Sequence, residues 1–207
     1  MSVTLIDLFD FDKTIYDGDA SRDFLVFCLR TQPRAWRELP RQAWAAGLFA
    51  LGRLSRDRFK ERSFAVLKRL PDPAAVVDEF WRQHQRKLAP WYTAQRQPTD
   101  VIISASPEFL LAPVIAELGG VLIGTRMDPT TGSIDGFNCR GEEKVRRLSA
   151  AHPDAVVDRA YSDSLTDLPI LRLARRPYLV HRGAATPLEQ VPVSPSNRSR
   201  TRRRSSR

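Results

Sequence analysis

Hydrophobic and polar positions follow two different rhythms along this chain. An apolar run, Val3 to Phe9, ends at once in Asp10-Phe11-Asp12-Lys13-Thr14, the pattern of a buried strand that delivers carboxylates to its carboxyl end. From about Ala20 to Gln97 strand alternation disappears. Phe24, Phe27 and Cys28 stand at i, i+3, i+4, and Leu25 and Leu29 widen that stripe. Pro33 and Pro40 punctuate. Gln42 to Leu54 is the most apolar helical stretch, with Trp36 and Trp44 near its start. Ser55 caps the next predicted helix, through Phe59, Val66, Leu67 and Leu70. Asp72-Pro73 opens another, through Val77, Phe80, Trp81, His84 and Leu88.

Strand character returns at Asp100 to Ile103. Ser106 as cap and Pro107 at the first position predict a helix through Leu118, with a kink or boundary at Pro113. After Gly119-Gly120, Val121 to Ile123 reads as a strand, and Met127 to Asn138, with its Asp128-to-Gly132 turn, reads as a β-hairpin. Gly141 opens a helix carrying Val145 and Leu148. Ala155 to Tyr161 is a strand ending at Ser162-Asp163, Thr166 caps a helix with Leu168, Leu171 and Leu173, and Tyr178 to Val180 is the last strand. Strands alternating with helices on both sides of a helical insertion predict an α/β fold built on a parallel sheet. There is no internal repeat. The expected division is a core of residues 1–16 and 98–183, a helical cap of 17–97, and a disordered Arg/Ser-rich tail of 184–207.

Composition narrows the class. The chain has 207 residues, 42% of them hydrophobic, and a mean hydropathy of −0.36, which suits a soluble protein with one full core. No run approaches the roughly 18 apolar residues needed to span a bilayer. With no secretory signal visible and only Cys28 and Cys139, reduced thiols and a cytoplasmic location are expected. His84, His152 and His181 show no metal-ligand spacing. The net charge is +9, but the last ten residues hold six Arg and no acid, so the rest of the chain is +3. That tail offers weak electrostatic contact with RNA or anionic lipid, and no obligate protein partner is evident.

The candidate chemistry collects at predicted strand ends and helix starts. On a strand Asp10 and Asp12 share a side and Phe11 faces away. Two adjacent carboxylates repel unless a cation or a shared proton relieves them. Mg²⁺ suits such a place, because it takes oxygen ligands and few carboxylates. Ser104 follows an apolar strand and would emerge at the same sheet edge. Lys144 lies in the first turn of a helix, where the dipole favours an acid, so it is either incidental or aimed at an anion. Asp163 and Asp167 span a strand end and the following helix start.

In this order, Asp10-Phe-Asp12-Lys-Thr14, Ser104, Lys144 and Asp163-Ser-Leu-Thr-Asp167 resemble the haloacid dehalogenase-like (HAD) hydrolases, in the branch that includes phosphoserine phosphatases. The resemblance covers roughly Leu5 to His181. It implies a Rossmann-like core with a helical cap inserted after the first motif, and a phosphatase acting on a phosphomonoester. It implies Asp10 as the nucleophile forming an aspartyl-phosphate, and Asp12 as general acid and base. Mg²⁺ would be held by Asp10, the Asp12 backbone carbonyl and Asp163, with Asp167 close by. Ser104 and Lys144 would bind phosphoryl oxygens.

Lys13 stands where Gly is common in the wider superfamily, although non-Gly residues are usual there in the phosphoserine branch, and Ser162 stands where a Gly often precedes the metal-binding Asp. The substrate-binding positions correspond to Asp19 and, one residue out of register, Arg62, so phosphoserine itself is not implied. A small phosphorylated metabolite is the expected substrate. A lipid phosphate is the alternative, since the chain more loosely resembles phosphatidylglycerophosphate phosphatases. Trp36, Trp44 and the 43–54 segment, flanked by Arg37, Arg41, Arg53 and Arg56, have the makings of an interfacial helix. The expectation for that helix is nevertheless the packed interior of the cap. A nucleic-acid-binding role through the tail is the remote alternative.

Overall fold

A computed structural model of the chain describes residues 4–190. Six strands form one sheet in the order β3-β2-β1-β4-β5-β6. They are β1 (Thr4–Phe9), β2 (Val101–Pro107), β3 (Val121–Thr125), β4 (Ala155–Ser162), β5 (Arg176–His181) and β6 (Ala184–Pro187). The first five run parallel and β6 is antiparallel to β5. The chain steps outward from β1 to β2 and β3, then returns to place β4 on the other side of β1. Such a reversal opens a crevice at the carboxyl ends of the strands, here beyond Phe9.

Between β1 and β2 lie five helices: α1 (Ala20–Thr31), α2 (Leu39–Ala50), α3 (Arg56–Phe64), α4 (Pro73–His84) and α5 (Pro90–Thr93). Asp19 caps α1, Ser55 caps α3 and Asp72 caps α4, each side chain accepting from a first-turn N–H. Three more, α6 (Glu108–Leu118), α7 (Glu142–Ala151) and α8 (Leu168–Leu171), connect the later strands.

Side-chain alternation in β1 feeds two apolar clusters. Ile6 and Leu8 join Val101, Ile103, Leu148 and Ile170 on one face of the sheet. Phe9 joins a larger cluster that runs from the other face, through Leu110 and Val114, into the cap at Phe24, Phe64 and Phe80. Core and cap are stitched there by the Trp81 indole, which donates to the Leu110 carbonyl at 2.6 Å.

Several expectations change. Residues 184–190, expected in the tail, add β6 and a 3-10 turn to the core. The rest of the tail lies outside the described residues. β2 runs on through Pro107, so α6 starts at Glu108 and Ser106 caps nothing. Pro113 marks no boundary. It sits inside α6, whose Leu110, Leu111, Val114 and Ile115 are buried, and that packing outweighs the missing N–H. The hairpin of 127–138 shrinks to one antiparallel bridge, Met127 to Ile134.

This loop leans on the cap instead. At Gly132, with φ +75°, a Cβ would stand 2.5 Å from the Phe64 carbonyl oxygen, so only glycine allows the approach. Ser164, not Thr166, caps the turn before α8. Finally, α2 is not the interior of the cap. Ala45 is its one buried residue, while Trp44 is 69% exposed and Leu51, just past its end, is 71% exposed.

Candidate active site

Asp10 is the first residue beyond β1, its N–H held by the Tyr161 carbonyl of β4 at 2.9 Å. The strand pleat does not carry on to Asp12. Asp12 nevertheless lines the same cleft as Asp10, and the chain turns sharply just after it, at Lys13, whose φ of 59° is left-handed. A glycine would take that conformation freely, whereas a lysine adopts it at a cost of about 1–2 kcal/mol. Phe11 faces away, stacked on Tyr16 and edge-on to Trp81.

Asp10, Asp12, Lys13, Asp19, Lys144, Asp163 and Asp167 line a single polar cleft of about 190 Å³, together with Ala105, Arg140, Ser164 and Thr166. Lys144, on α7, is 2% exposed. Its Nζ donates to Asp10 Oδ1 at 2.6 Å and to Asp167 Oδ2 at 2.7 Å. Among the described residues nothing donates to Asp10 Oδ2, so one oxygen of this carboxylate is fixed and the other is left to face the cleft. Burial opposes the charge of Lys144, but Asp10 and Asp167 outweigh it and hold the ammonium protonated. Burial pushes the Asp10 carboxyl up, to about 7, against the pull of Lys144 and with help from Asp167 and Asp12. Asp163 is raised by burial too, with Lys13 opposing.

Asp12 is bound differently. Its Oδ1 accepts from the Ala20 N–H at 2.6 Å and its Oδ2 from the Ser106 hydroxyl at 2.7 Å. Burial first, and the neighbouring Asp19 second, raise it to about 6. A carboxyl that holds its proton to that pH suits general acid and base work.

The sequence-derived residues fare unequally. Ser104 is fully buried, its Oγ 3.4 Å from Asp12 Oδ2 and accepting from the Ser106 N–H at 3.0 Å. Asp19 lines the cleft while capping α1. Arg62 does not join the others. It is exposed, in a groove on the cap with Pro40, Arg41 and Trp44.

The cap residue that reaches the core at the cleft is Lys60, two positions earlier. Its Nζ donates to the carbonyl of the cleft-lining Ala105 and to Asn138 Oδ1 at 2.9 Å. At about 100° per helical residue, two positions turn a side chain to nearly the opposite face. Burial pushes Lys60 down to about 8 against the attraction of Asp12 and Asp19. Sequence reading also missed Ser106, taken for a helix cap, and Ser162. Ser162 replaces the common glycine and donates to Asp167 Oδ2 at 2.9 Å.

The donor set fits Mg²⁺. The cleft offers hard oxygen ligands, and burial and neighbouring negative charge raise two of its carboxylates, Asp10 and Asp163, a strain that a cation would relieve. Among the described residues no three His, Cys, Asp or Glu side chains form a closed metal cage. Mg²⁺ needs only one or two carboxylates, the rest of its shell coming from water and phosphate.

The family model described as haloacid dehalogenase-like hydrolase matches residues 8–172, the stretch that carries every one of these cleft carboxylates and Lys144. The chain belongs to the haloacid dehalogenase-like hydrolases. This hydrolase is 31% identical over 205 residues to Protein CicA of Caulobacter vibrioides, covering 86% of this chain and 87% of that one. Among solved structures it resembles a Bordetella pertussis Tohama I protein of unknown function, with a TM-score of 0.75 at 23% identity. That match covers 98% of this chain and 96% of the other. A phosphoserine phosphohydrolase-like protein from Francisella tularensis shares the fold at a TM-score of 0.52 and 17% identity, covering 85% of this chain and 86% of that one.

Proposed function

We propose that this hydrolase is a Mg²⁺-dependent phosphatase that cleaves a phosphomonoester through an aspartyl-phosphate on Asp10. The observation that carries the reading is the asymmetry of Asp10, with Oδ1 pinned by a buried ammonium and Oδ2 without a donor. A carboxylate so oriented is an aligned nucleophile. Asp12, raised to about 6, hands its proton to the departing alcohol oxygen and then takes one from the water that attacks the acyl phosphate.

Lys144, already committed to Asp10 and Asp167, also lies where it balances negative charge gathering on the phosphoryl oxygens. Bound through Asp10, Asp163 and the Asp12 carbonyl, Mg²⁺ would supply the charge that lets a carboxylate meet a phosphate dianion. At about 190 Å³ the cleft suits a phosphate group with little attached, and the substrate favoured is a small phosphorylated metabolite. A lipid phosphate is the second reading, and the exposed apolar face of α2 is what favours it.

Hydrolysis of p-nitrophenyl phosphate tests the mechanism. Turnover should require Mg²⁺ and vanish in Asp10→Asn, while Asp12→Asn should accumulate base-labile phosphoprotein with this good leaving group. An Asp10→Asn protein that stays active, with reversion of the amide excluded by mass, would refute it. A panel of phosphorylated metabolites with one lipid phosphate then identifies the leaving group.

A further inference from the structure

The outer face of the cap carries a second functional surface, separate from the cleft. Trp36 is 63% exposed, Trp44 69%, Leu51 71% and Leu39 40%. Between them Pro40, Ala43, Ala46, Gly47 and Ala50 are exposed as well, and from Leu39 to Gly52 the sole charged residue is Arg41. A solvated helix face reads the other way, with polar residues outward. Trp36 sharpens the point. Its indole N–H is turned inward onto the Leu29 carbonyl at 2.7 Å, so the part of the ring left to the outside is hydrocarbon. α2 is held in place from below, by Phe49 stacked on Phe59 with centroids 4.7 Å apart and by the Gln42 amide donating to the Ser63 carbonyl at 2.9 Å. The apolar face is presented by a fixed helix.

Cations crowd the same stretch of chain, and Arg41 and Arg62 line a groove with Pro40 and Trp44 of this face. Residues 30–70 hold eleven Lys and Arg against three Asp and Glu, so this segment alone is +8 in a chain whose total is +9. Glu38, the one acid between Asp23 and Asp57, is already taken by Arg41 and Arg69. Arg34, Arg37 and Lys68 line a shallow cleft of about 440 Å³ together with Arg69.

We infer that the α2 face of the cap docks on an anionic phospholipid surface. Trp and Leu enter the headgroup boundary while the rim of Arg and Lys meets lipid phosphates, the combination by which interfacial helices bind. A nucleic acid would use the cations and stack on the two Trp rings, but has no use for the Leu and Ala residues exposed beside them. A second copy of this chain would bring the same excess of positive charge to the contact. The inference does not depend on the proposed phosphatase activity, since it is read by binding alone.

The test is co-sedimentation of the full chain with vesicles of phosphatidylcholine containing phosphatidylglycerol, against phosphatidylcholine alone, at low and physiological salt. Binding is expected only with the anionic lipid. The double variant Trp36→Ala/Trp44→Ala should weaken it by roughly tenfold or more while p-nitrophenyl phosphate hydrolysis, where wild type shows it, stays unchanged. Leu39→Ser/Leu51→Ser serves equally if the first variant does not fold.

Absence of binding at low salt overturns the inference. So does undiminished binding of both variants, which would assign the effect to the Arg-rich carboxyl terminus. A Trp-dependent dimer by sedimentation velocity, without vesicle binding, assigns the face to a second copy and likewise overturns it. So does displacement of vesicles by a single-stranded RNA whose own binding needs Trp36 and Trp44.

Discussion

Asp10 and Asp12 are two residues apart and do opposite work because different neighbours hold them. Asp10 meets a buried ammonium, while Asp12 meets a backbone N–H, a hydroxyl and a second carboxylate, Asp19. The sign of the pH dependence follows. Raised to about 6, Asp12 carries its proton below that pH and loses it above. An alkyl phosphate needs this proton on the leaving oxygen and a p-nitrophenyl ester does not, whereas ionisation of Asp10 affects both alike. With each rate referred to the dianion of its ester, the ratio of kcat/KM for alkyl over aryl ester should therefore be constant below about pH 6 and fall tenfold per unit above it. In Asp12→Asn the ratio should be about 10²–10⁴ lower at acid pH and should not vary with pH. A ratio independent of pH in the wild type would remove Asp12 from proton transfer. Asp10, Asp12, Lys144, Asp163 and Asp167 were legible in the sequence because motif order fixes which strand ends and helix starts they occupy. Ser106 and Ser162 were not, since a serine at such a place reads as a cap or a spacer until its hydroxyl is seen on a carboxylate.

At the scale of elements, α3 joins the start of α1 as a part of the cap that meets the cleft. Lys60 reaches Ala105 and Asn138, and Glu61 accepts the Ile134 N–H at 3.1 Å, so one turn of helix grips both the end of β2 and the loop after β3. Patterning identified this helix and the family resemblance pointed to Arg62 on it, since a motif correspondence fixes a place in the chain and says little about how far a long polar side chain extends. Lys60→Met keeps the stem and removes the ammonium. It should cost about 1–3 kcal/mol by chemical denaturation, because buried acceptors lose a donor. Lys60 lowers the pKa of Asp12 from a distance, so Lys60→Met should also move the break in the alkyl-to-aryl ratio above pH 6. A purely structural lysine would change the first quantity and leave the second where it was. α2 shows the opposite limit of patterning: an apolar helical stretch was taken for cap interior, and only the packing reveals that its long face is outside.

Over the whole molecule, cap and core share one apolar cluster. Phe11 and Phe9 at the end of β1, Trp81 and Phe80 of α4, and Leu110 of α6 are contiguous. The two chain crossings between the domains are tied as well, by bridges joining Tyr16 to Asp12 and to Leu88. A division into core and cap is visible in the sequence as a change of rhythm near residues 20 and 97, but the shared cluster is not, because contacts between distant segments leave no local pattern. The cluster implies that the cap does not unfold as an independent body. All four tryptophans, Trp36, Trp44, Trp81 and Trp91, lie in the inserted segment, so their fluorescence reports the cap while far-UV circular dichroism reports the entire fold. Urea transitions followed by the two probes should coincide in midpoint and slope. Trp81→Phe, which deletes the hydrogen bond to Leu110, should lower both midpoints together, by about 0.5–1.5 kcal/mol of stability. If fluorescence instead changes first, at a denaturant concentration where the dichroism is still native, the cap is a separate cooperative unit and the shared cluster does not bind it to the sheet.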